Sequence, residues 1–443
     1  MRFGTDGIRG RANTELTPEL ATAVGRAVAR VCGSRLAIVG GDSRRSTPML
    51  ANALCAGLAS EGVDVIDLGV VPTPVVAAEA ARLDAIGLVV SASHNPHHDN
   101  GIKVFGVGGR KLDPASEQRI EAEIGAEVSV ETEPGMISLD DPSEVMRRHI
   151  ERLEAVIEGR SLSGLRVVVD AANGAASRLA GPVLEALGAM VTVINADPDG
   201  YNINASCGAT DPAALIDRVV ADGADVGLAL DGDADRLIAV DAGGRIVDGD
   251  HLIAICALDM ASNSELATGA VVVTVMTNLG FRLAMEAAGI AVVETAVGDR
   301  HVLEALSAGG HSIGGEQSGH VIWPAHATTG DGLLTGIKLL DVVARTGRAL
   351  SDLATSAMTS LPQVLVNVPV ADRAVDVESA IGEQLAEART RLGEEGRILV
   401  RPSGTEPLIR IMVEAATDEL ASEVAGDLAA ALVTAAGGVR DHG

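Results

Sequence analysis

Aromatic side chains are nearly absent from this sequence of 443 residues. One Trp, one Tyr and three Phe make up about 1% of it, although apolar residues as a whole reach 47%. The core must therefore be built from Ala, Val, Leu and Ile, which suits parallel sheets covered by helices. A chain of this length exceeds what one hydrophobic core usually supports, so two to four domains are expected.

Long apolar runs are also lacking. No run approaches the roughly 18 residues of a membrane-spanning helix, and the N-terminal MRFGTDGIRG has no apolar segment of the signal-peptide kind. The cysteines form no close pair and no metal-ligand spacing; they are Cys32, Cys55, Cys207 and Cys256. Both features predict a cytoplasmic protein with buried or idle thiols.

Positive charge is scarce. Against 61 acidic residues there are 34 Lys and Arg, which gives a formal net charge of −27. This balance speaks against nucleic acid and against an anionic membrane surface as partners. An anionic small-molecule ligand would therefore need positive charge that is concentrated locally.

The first three quarters of the chain repeat one plan. Each unit reads as a strand, a polar turn, a helix, a Gly, a second strand, a helix and a third strand that ends in a polar motif. The units are about a hundred residues apart and end in SASHNP, DGDADR and GGEQSGH. Three similar α/β domains are predicted, whose equivalent loops can face a common cleft.

The first motif follows a buried strand predicted over residues 85–90. It places Ser93 at the carboxyl end of that strand, where open α/β sheets bind their ligands, and Lys103 follows ten residues later. Ser93 is therefore a candidate nucleophile. Taken alone, the motif also fits an ordinary polar turn before Pro96; the internal repeat favours the functional interpretation.

The second motif, DGDADR, sets Asp231, Asp233 and Asp235 at alternate positions after an apolar strand. Crowded carboxylates favour a divalent cation, and a ligand set of oxygen atoms alone suits Mg²⁺. An EF-hand is excluded, because Arg236 and Ala242 stand where that loop needs Gly and Glu. The alternative is a solvated acidic turn.

Two further motifs suggest sugar and phosphate contacts. Glu316, Ser318 and His320 lie in a glycine-rich loop that suits sugar hydroxyls with an acid or base nearby, although a structural loop fits as well. Near the C-terminus a compact nest could bind phosphate; it comprises Arg401, Ser403, Gly404, Thr405 and Arg410. At the N-terminus, Arg9 lies in a glycine-punctuated loop that could approach a phosphate or could be a mobile end.

These four motifs, in this order and spread over nearly the whole chain, resemble the α-D-phosphohexomutase superfamily. FGTDGIRG and GEQSGH are similar to its glucosamine-phosphate branch, chiefly through Gln317. The resemblance implies three similar mixed or parallel-sheet α/β domains and a smaller C-terminal α+β domain around a central cleft. We expect their boundaries at 1–145, 146–245, 246–360 and 361–443.

The resemblance also implies an activity and a set of roles. It predicts interconversion of glucosamine 6-phosphate and glucosamine 1-phosphate, a step toward UDP-N-acetylglucosamine and the cell wall, through phosphoserine at Ser93 and a glucosamine 1,6-bisphosphate intermediate. One Mg²⁺ per active site is expected on Ser93 and the three aspartates, with Lys103, His320 and Arg9 catalytic. The substrate-binding residues would be Arg236, Glu316, Ser318, Arg401, Ser403, Gly404, Thr405 and Arg410.

Other functions remain open at this point. A phosphomannomutase or phosphoglucomutase would use the same motifs on another sugar. A metal-dependent sugar phosphatase would need no distal phosphate nest, and a noncatalytic sugar-phosphate sensor would have no need of Ser93 beside three aspartates. The expected partner is a small hexosamine phosphate, and a homodimer is one alternative for the assembly.

Overall fold

The computed structural model describes residues 4, 7–126, 132–370, 377–402 and 408–435. The elements of the first domain are β1 (Ile8–Arg11), α1 (Pro18–Cys32), β2 (Leu36–Gly41), α2 (Thr47–Ser60), β3 (Asp64–Val70), α3 (Thr73–Arg82), β4 (Ile86–Val90), β5 (Asp99–Gly106), β6 (Arg110–Lys111), α4 (Pro114–Glu123), β7 (Ile137–Leu139) and α5 (Pro142–Glu154). Their sheet has the order β1-β5-β4-β2-β3-β7, with β6 on β5. Strands β2, β3, β4 and β7 run parallel, whereas β5 is antiparallel to β4.

The local sequence explains where these elements begin and end. Helix α1 starts after Thr17, whose side chain accepts a hydrogen bond from the amide of Leu20, and it stops at Gly33, which adopts a φ of 65°. Strand β4 is buried along its whole length, as expected for a strand covered by helices on both faces.

The second domain repeats the plan after a short 3₁₀ turn at Ala155–Ile157. Its elements are β8 (Arg166–Asp170), α6 (Ala180–Ala186), β9 (Met190–Ile194), α7 (Ala213–Asp222), β10 (Val226–Leu230), β11 (Leu237–Asp241) and β12 (Ile246–Val247). The sheet order is β12-β11-β10-β8-β9. Strands β8, β9 and β10 are parallel, and β11 is antiparallel to β10.

The third stretch comprises α8 (Gly249–Ser262), β13 (Ala270–Thr274), α9 (Leu279–Ala287), β14 (Ala291–Thr295), α10 (Asp299–Gly309), β15 (Gly314–Gly315), β16 (Val321–Ile322), α11 (Gly332–Thr346) and α12 (Leu350–Ala357). The sheet order is β14-β13-β15-β16. Strand β13 is parallel to both β14 and β15, and β16 is antiparallel to β15.

The C-terminal elements are β17 (Gln363–Pro369), α13 (Val377–Leu392), a 3₁₀ turn at Gly393–Glu395, β18 (Arg397–Pro402), β19 (Leu408–Glu414) and α14 (Asp418–Ala435). They form an antiparallel sheet of order β17-β19-β18, and this region has its own apolar core. By their contacts, residues 1–276 and 288–357 form one compact unit, and residues 277–287 and 358–443 form another. Helix α9 therefore groups with the C-terminal elements.

The predicted fold class of three similar α/β domains and a smaller α+β domain is confirmed. One loop recurs at the same place in all three sheets. It joins the last parallel strand, β4, β10 or β15, to its antiparallel neighbour, β5, β11 or β16. These are the loops that carry the first three motifs. No helix within the described ranges is both long and apolar enough to cross a membrane.

Candidate active site

Ser93 lies in the β4–β5 loop and is fully buried. Its backbone adopts a φ of 52°, in the left-handed region that a residue with a side chain occupies only when its surroundings hold it there. In this conformation the Ser93 Oγ donates a hydrogen bond to Asp231 Oδ2 at 2.6 Å. The predicted nucleophile of the first domain thus meets the acidic motif of the second.

The β10–β11 loop brings the three aspartates together. Asp231, Asp233 and Asp235 are all buried, and one carboxylate oxygen from each lies within 4.8 Å of the others. Gly232 is needed where the two loops touch, because a Cβ at this position would lie 2.7 Å from the carbonyl oxygen of Ser93. The close approach of the loops therefore depends on a residue without a side chain.

Two residues of the first domain hold the acidic loop. Lys103 on β5 lies with its Nζ 2.8 Å from Asp233 Oδ2 and 2.7 Å from Asp235 Oδ2. Thr73, at the start of α3, donates its hydroxyl to Asp233 Oδ2 at 2.6 Å. Its backbone amide donates to the carbonyl oxygen of Asp233 at 3.0 Å. Asp233 is therefore held by three contacts, two at its Oδ2 atom and one at its backbone carbonyl oxygen.

The carboxylates differ sharply in their pKa. Burial, and then the charges of Asp235 and Asp233, raise the pKa of Asp231 to about 8. Burial alone would raise the pKa of Asp235 as well, but Lys103 and then His320 hold it well below its ordinary value. Lys103 thus neutralises Asp233 and Asp235, whereas Asp231 favours its protonated form at neutral pH.

This triad fits a divalent cation. Its donors are hard oxygen atoms, and within the described residues Asp233 Oδ1 is buried without a hydrogen-bond partner. A phosphate on Ser93 would add further negative charge beside Asp231, and a cation would make both anions tolerable. The three aspartates could therefore hold a metal ion next to Ser93.

His320 closes the site from the third domain. Its Nδ1 lies 3.6 Å from Asp235 Oδ1, and its Nε2 lies 3.7 Å from Asp299 Oδ2. Burial would lower the pKa of His320, but Asp235 and then Asp299 raise it above its ordinary value. The loop itself is joined to the acidic domain, because the amide of Leu237 donates to the carbonyl oxygen of Gly319 at 3.0 Å.

The pKa of His94 is shifted in the direction opposite to that of His320. The His94 Nδ1 lies 3.3 Å from Ser93 Oγ. Burial, and then the charges of Arg236 and Arg9, lower the pKa of His94 to about 4, so the ring is neutral at pH 7. Arg9 on β1 and Arg236 after the acidic motif therefore both act on the surroundings of Ser93.

The remaining residues of the third motif lie in the β15–β16 loop. Glu316 Oε1 accepts a hydrogen bond from the amide of Gly298 at 3.0 Å, and the Ser318 hydroxyl donates to Glu316 Oε2 at 3.4 Å. Gln317, which carries the branch resemblance, donates its amide to Asp248 Oδ2 at 3.3 Å. The Glu316 carboxylate is thus oriented by a backbone amide and a neighbouring hydroxyl.

The predicted phosphate nest belongs to the other compact unit. Arg401 on β18 and Arg410 on β19 are direct cross-strand neighbours. Burial, and then Arg410, lower the pKa of Arg401. Two facing guanidinium groups repel each other, which favours an anion between them. Ser403, Gly404 and Thr405 lie outside the described residues, so their predicted roles stay predictions.

Sequence reasoning overlooked several residues that shape the site. Thr73 fixes Asp233, Asp299 faces His320, and Asp42 with Arg44 lies beneath the Ser93 loop. One signal was available for the last pair, because Asp42 and Arg44 follow β2, the parallel neighbour of β4. Residues after adjacent parallel strands share one edge of a sheet.

Comparisons with known proteins agree with this architecture. Four family models described as phosphoglucomutase/phosphomannomutase match: α/β/α domain I at residues 1–131, domain II at 147–244, domain III at 248–361 and the C-terminal domain at 365–431. The chain belongs to the phosphoglucomutase/phosphomannomutase family. The superfamily predicted from the motifs is thereby confirmed, whereas the four domain boundaries predicted above stay predictions.

Individual relatives of this family are similar over nearly the full length. The phosphoglucosamine mutase of Rhodococcus jostii (strain RHA1) is 52% identical over 438 residues, covering 96% of this chain and 98% of the relative. That of Mycolicibacterium paratuberculosis is 51% identical, covering 98% and 99%. A crystal structure of a phosphoglucomutase/phosphomannomutase family protein from Burkholderia thailandensis superimposes with a TM-score of 0.81, at 26% identity and 97% coverage of both chains.

Proposed function

We propose that this family member interconverts glucosamine 6-phosphate and glucosamine 1-phosphate. The observation that carries the proposal is the 2.6 Å hydrogen bond from the Ser93 hydroxyl to Asp231, inside a buried triad of carboxylates that could hold a metal ion. The choice of glucosamine rests on relatives about 50% identical that are named phosphoglucosamine mutase.

In the proposed reaction, phosphorylated Ser93 donates its phosphoryl group to the free hydroxyl of the sugar phosphate. The sugar oxygen forms a bond to phosphorus as the bond from Ser93 Oγ breaks. The proton of the sugar hydroxyl passes to a base, Ser93 Oγ takes up a proton and becomes a hydroxyl again, and glucosamine 1,6-bisphosphate results. The bisphosphate then turns around and returns its other phosphoryl group to Ser93. Such transfers need alignment of the reacting groups and neutralisation of charge above all.

Asp231, Asp233 and Asp235 would hold one Mg²⁺, and a phosphate on Ser93 would add a further oxygen ligand. When bound, the ion supplies positive charge to the transferring phosphoryl group. Lys103 Nζ lies 2.8 Å from Asp233 and 2.7 Å from Asp235, so we assign it charge neutralisation rather than proton removal.

Two histidines are suited to proton movement. His94 is neutral at pH 7 and lies 3.3 Å from Ser93 Oγ, so it can accept a proton there. Asp235 and Asp299 raise the pKa of His320, so they favour its protonated form, which can donate a proton. Arg9 and Arg236 would bind phosphate oxygens near Ser93, since their charges already act on His94.

The sugar and the second phosphate need their own contacts. We assign the sugar hydroxyls to Glu316 and Ser318, whose polar groups are oriented in the β15–β16 loop. We assign the phosphate that does not react to Arg401 and Arg410, because a bound anion would relieve their mutual repulsion.

A coupled assay tests the proposal. Purified protein with Mg²⁺ and catalytic bisphosphate is given the 1- or 6-phosphate of glucosamine, glucose or mannose, and isomer and inorganic phosphate are both measured. The proposal expects the highest kcat/KM for glucosamine phosphates, with isomer formed much faster than phosphate. Faster release of inorganic phosphate would instead indicate a phosphatase.

Phosphomannomutase or phosphoglucomutase activity is the second candidate. The matching family models carry these names, and no contact among the described residues beside Ser93 is specific for an amino sugar. The same assay separates the two candidates, because a higher kcat/KM for mannose or glucose phosphates would refute the glucosamine assignment and leave the mutase chemistry intact.

A further inference from the structure

A buried ion pair lies directly beneath the loop that carries Ser93. Asp42 and Arg44 follow β2, and both side chains are completely shielded from solvent. Arg44 Nε donates to Asp42 Oδ2 at 2.9 Å, and its Nη2 donates to the carbonyl oxygens of Ser93 at 2.9 Å and Asn95 at 2.8 Å. Its Nη1 donates to the carbonyl oxygen of Pro96. A single guanidinium group thus gathers three carbonyl groups of one loop.

The same ion pair also reaches the amide side of Ser93. The Ser93 N–H donates to Ser91 Oγ at 2.9 Å, and the Ser91 hydroxyl donates to Asp42 Oδ2 at 2.6 Å. The hydrogen bonds therefore run from the amide of Ser93 through Ser91 and Asp42 to Arg44, and back to the carbonyl of Ser93. Both peptide groups that set the φ and ψ of Ser93 are fixed by one closed circuit.

The second domain adds a contact from another direction. Asn204 Nδ2 donates to the carbonyl oxygen of Ser93 at 2.9 Å and to that of Asn95 at 3.1 Å. Asn204 belongs to the domain that carries Asp231, and its backbone N–H donates a hydrogen bond to the carbonyl oxygen of Ala172 at 3.0 Å. This side chain therefore links the position of the Ser93 loop to the domain of the acidic triad.

The strained backbone explains why such a network is needed. A φ of 52° at Ser93 is unfavourable for a residue with a side chain and persists only where neighbouring groups over-determine it. Three carbonyl oxygens that point the same way would also repel one another without a donor between them. Arg44 suits this task because its planar guanidinium offers several donors in fixed directions, which an ammonium group does not.

We propose that Arg44, supported by Asp42 and Asn204, is a positioning residue that aims the Ser93 hydroxyl at the metal triad and the incoming sugar phosphate. It contacts neither the reacting oxygen nor the carboxylates of the triad, and acts through the backbone of the loop. The catalytic consequence rests on the proposed function, because it concerns phosphoryl transfer to and from Ser93.

The test compares Arg44→Lys with Arg45→Ala. The control also changes an arginine, one residue further on, whose exposed guanidinium lies 5.4 Å from the centre of the Tyr201 ring rather than on the loop. Enzyme is first phosphorylated with bisphosphate, and the rate of transfer to sugar phosphate is measured in a single turnover and normalised to phosphorylated protein. Amide hydrogen exchange of residues 91–99 is measured in parallel.

Arg44→Lys should slow this normalised transfer by about 10- to 100-fold, because small misplacements of a reacting group have effects of this order. KM should stay within about threefold of wild type, since the substrate contacts are intact. Amides of residues 91–99 should exchange faster, and Arg45→Ala should match wild type in all three measurements. A general loss of stability would lower the amount of active protein without changing the rate per phosphorylated molecule.

Asn204→Ala provides an independent variant on a side chain that is only partly buried, in case Arg44→Lys does not fold. It should give a smaller change in the same direction, because Arg44 still holds both carbonyls. The proposal is overturned if the foldable variants transfer phosphate and exchange amides as the control does. Failure of the proposed function would give a different result, because wild type itself would lack isomerase activity. Hydrogen exchange of residues 91–99 would still show whether Arg44 holds the loop.

Discussion

The β4–β5 loop and the β10–β11 loop occupy the same place in two similar sheets but carry opposite chemistry. Each connects the last parallel strand to an antiparallel neighbour, and each contains a residue with a side chain in the left-handed region, Ser93 at 52° and Ala234 at 58°. The first loop delivers one hydroxyl, which the backbone network beneath it holds. The second delivers three carboxylates at alternate positions.

The difference shows that topology sets where a loop lies, whereas its residues set what the loop can do. Neither loop is complete by itself. Asp231 accepts the hydroxyl of Ser93, and Lys103, which follows the first loop on β5, neutralises Asp233 and Asp235 of the second. In the proposed reaction the two similar domains complement each other: the first would supply the phosphoryl acceptor, and the second would supply the ligands for a cation.

Removal of the hydroxyl from the first loop should have the largest effect. Ser93→Ala should abolish isomerisation, because it removes the hydroxyl that the proposed reaction phosphorylates, and the intact mass should fall by one phosphate. Both are measured by coupled assay and mass spectrometry. The control is Ser206→Ala, an exposed serine with the same φ of 52°, which should remain active. Near-normal turnover of Ser93→Ala would refute the assigned nucleophile.

Removal of one charge from the second loop should separate activity from stability. Asp231→Asn should lower turnover by about 100-fold through weaker Mg²⁺ binding, with partial rescue at high Mg²⁺. In the presence of a chelator its melting temperature should rise at neutral pH. Burial, and then Asp235 and Asp233, raise the pKa of Asp231 to about 8, so folding requires this carboxyl group to take up a proton, and Asn does not have this cost. Turnover is followed against Mg²⁺ concentration, and unfolding by calorimetry.

The matched control for the acidic loop is Asp225→Asn. Asp225 directly precedes β10, whereas the acidic loop follows it, and the Asp225 carboxylate accepts a hydrogen bond from the backbone amide of Arg166. It should leave both Mg²⁺ dependence and turnover unchanged. Wild-type turnover that is indifferent to a chelator would contradict the metal assignment.

The C-terminal unit extends the comparison, because it contributes a pair of arginine side chains, Arg401 and Arg410, that has no counterpart in either loop. Arg410→Ala removes a charge-assisted contact worth about 1.5–3 kcal/mol, so KM for the sugar phosphate should rise by about 10- to 100-fold. The ratio of inorganic phosphate to isomer should also rise, since poorly held bisphosphate escapes or is hydrolysed. Arg391→Ala, on the exposed surface of α13, is the control. An unchanged KM would show that Arg410 has no part in phosphate binding.

The smallest expected effect is a difference in titration between His94 in the β4–β5 loop and His320 in the β15–β16 loop. Burial, and then Arg236 and Arg9, lower the pKa of His94 to about 4, whereas Asp235 and Asp299 outweigh burial and raise the pKa of His320. In metal-free protein, NMR titration of labelled histidines, assigned with His94→Gln and His320→Gln, should show His94 neutral at pH 5.5 and His320 still charged above pH 6.5. Similar titration of both rings would contradict the electrostatic contrast.

These shifts also set the direction of the pH dependence of folding. Neutral His94 contributes stability that is present above about pH 6.5 and is lost as the pH falls toward 4. Charged His320 contributes stability that is present below about pH 6.5 and is lost as the pH rises through its raised pKa. Urea unfolding of the two Gln variants across this range measures both slopes.

Much of the site could be predicted from sequence because its main residues stand in local patterns. Ser93 and the three aspartates each follow an apolar strand, and the repeated plan points to one shared edge. Thr73 and Asn204 could not be predicted in this way. Thr73 is 160 positions from Asp233, and Asn204 is 111 positions from Ser93, so only the packing of the domains reveals these contacts.

Ser91 illustrates the same limit of local patterns. From the sequence it resembles a neutral neighbour of Ser93, but its hydroxyl donates to Asp42 and accepts from the amide of Ser93. Ser91→Ala would therefore disturb the nucleophile and cannot serve as a control. A similar reason applies to Arg44, which looks like a surface charge in a polar turn and is in fact buried beneath the loop.

The most direct test of the account is to locate the phosphoryl group and follow its transfer. Protein is incubated with labelled glucosamine 1,6-bisphosphate, and the tryptic peptide of residues 83–103, which contains both Ser91 and Ser93, is sequenced by mass spectrometry. The account predicts one phosphate, on Ser93 alone, which passes to unlabelled glucosamine phosphate in a chase with Mg²⁺. A phosphate on another residue, or one that leaves only as inorganic phosphate, would contradict it.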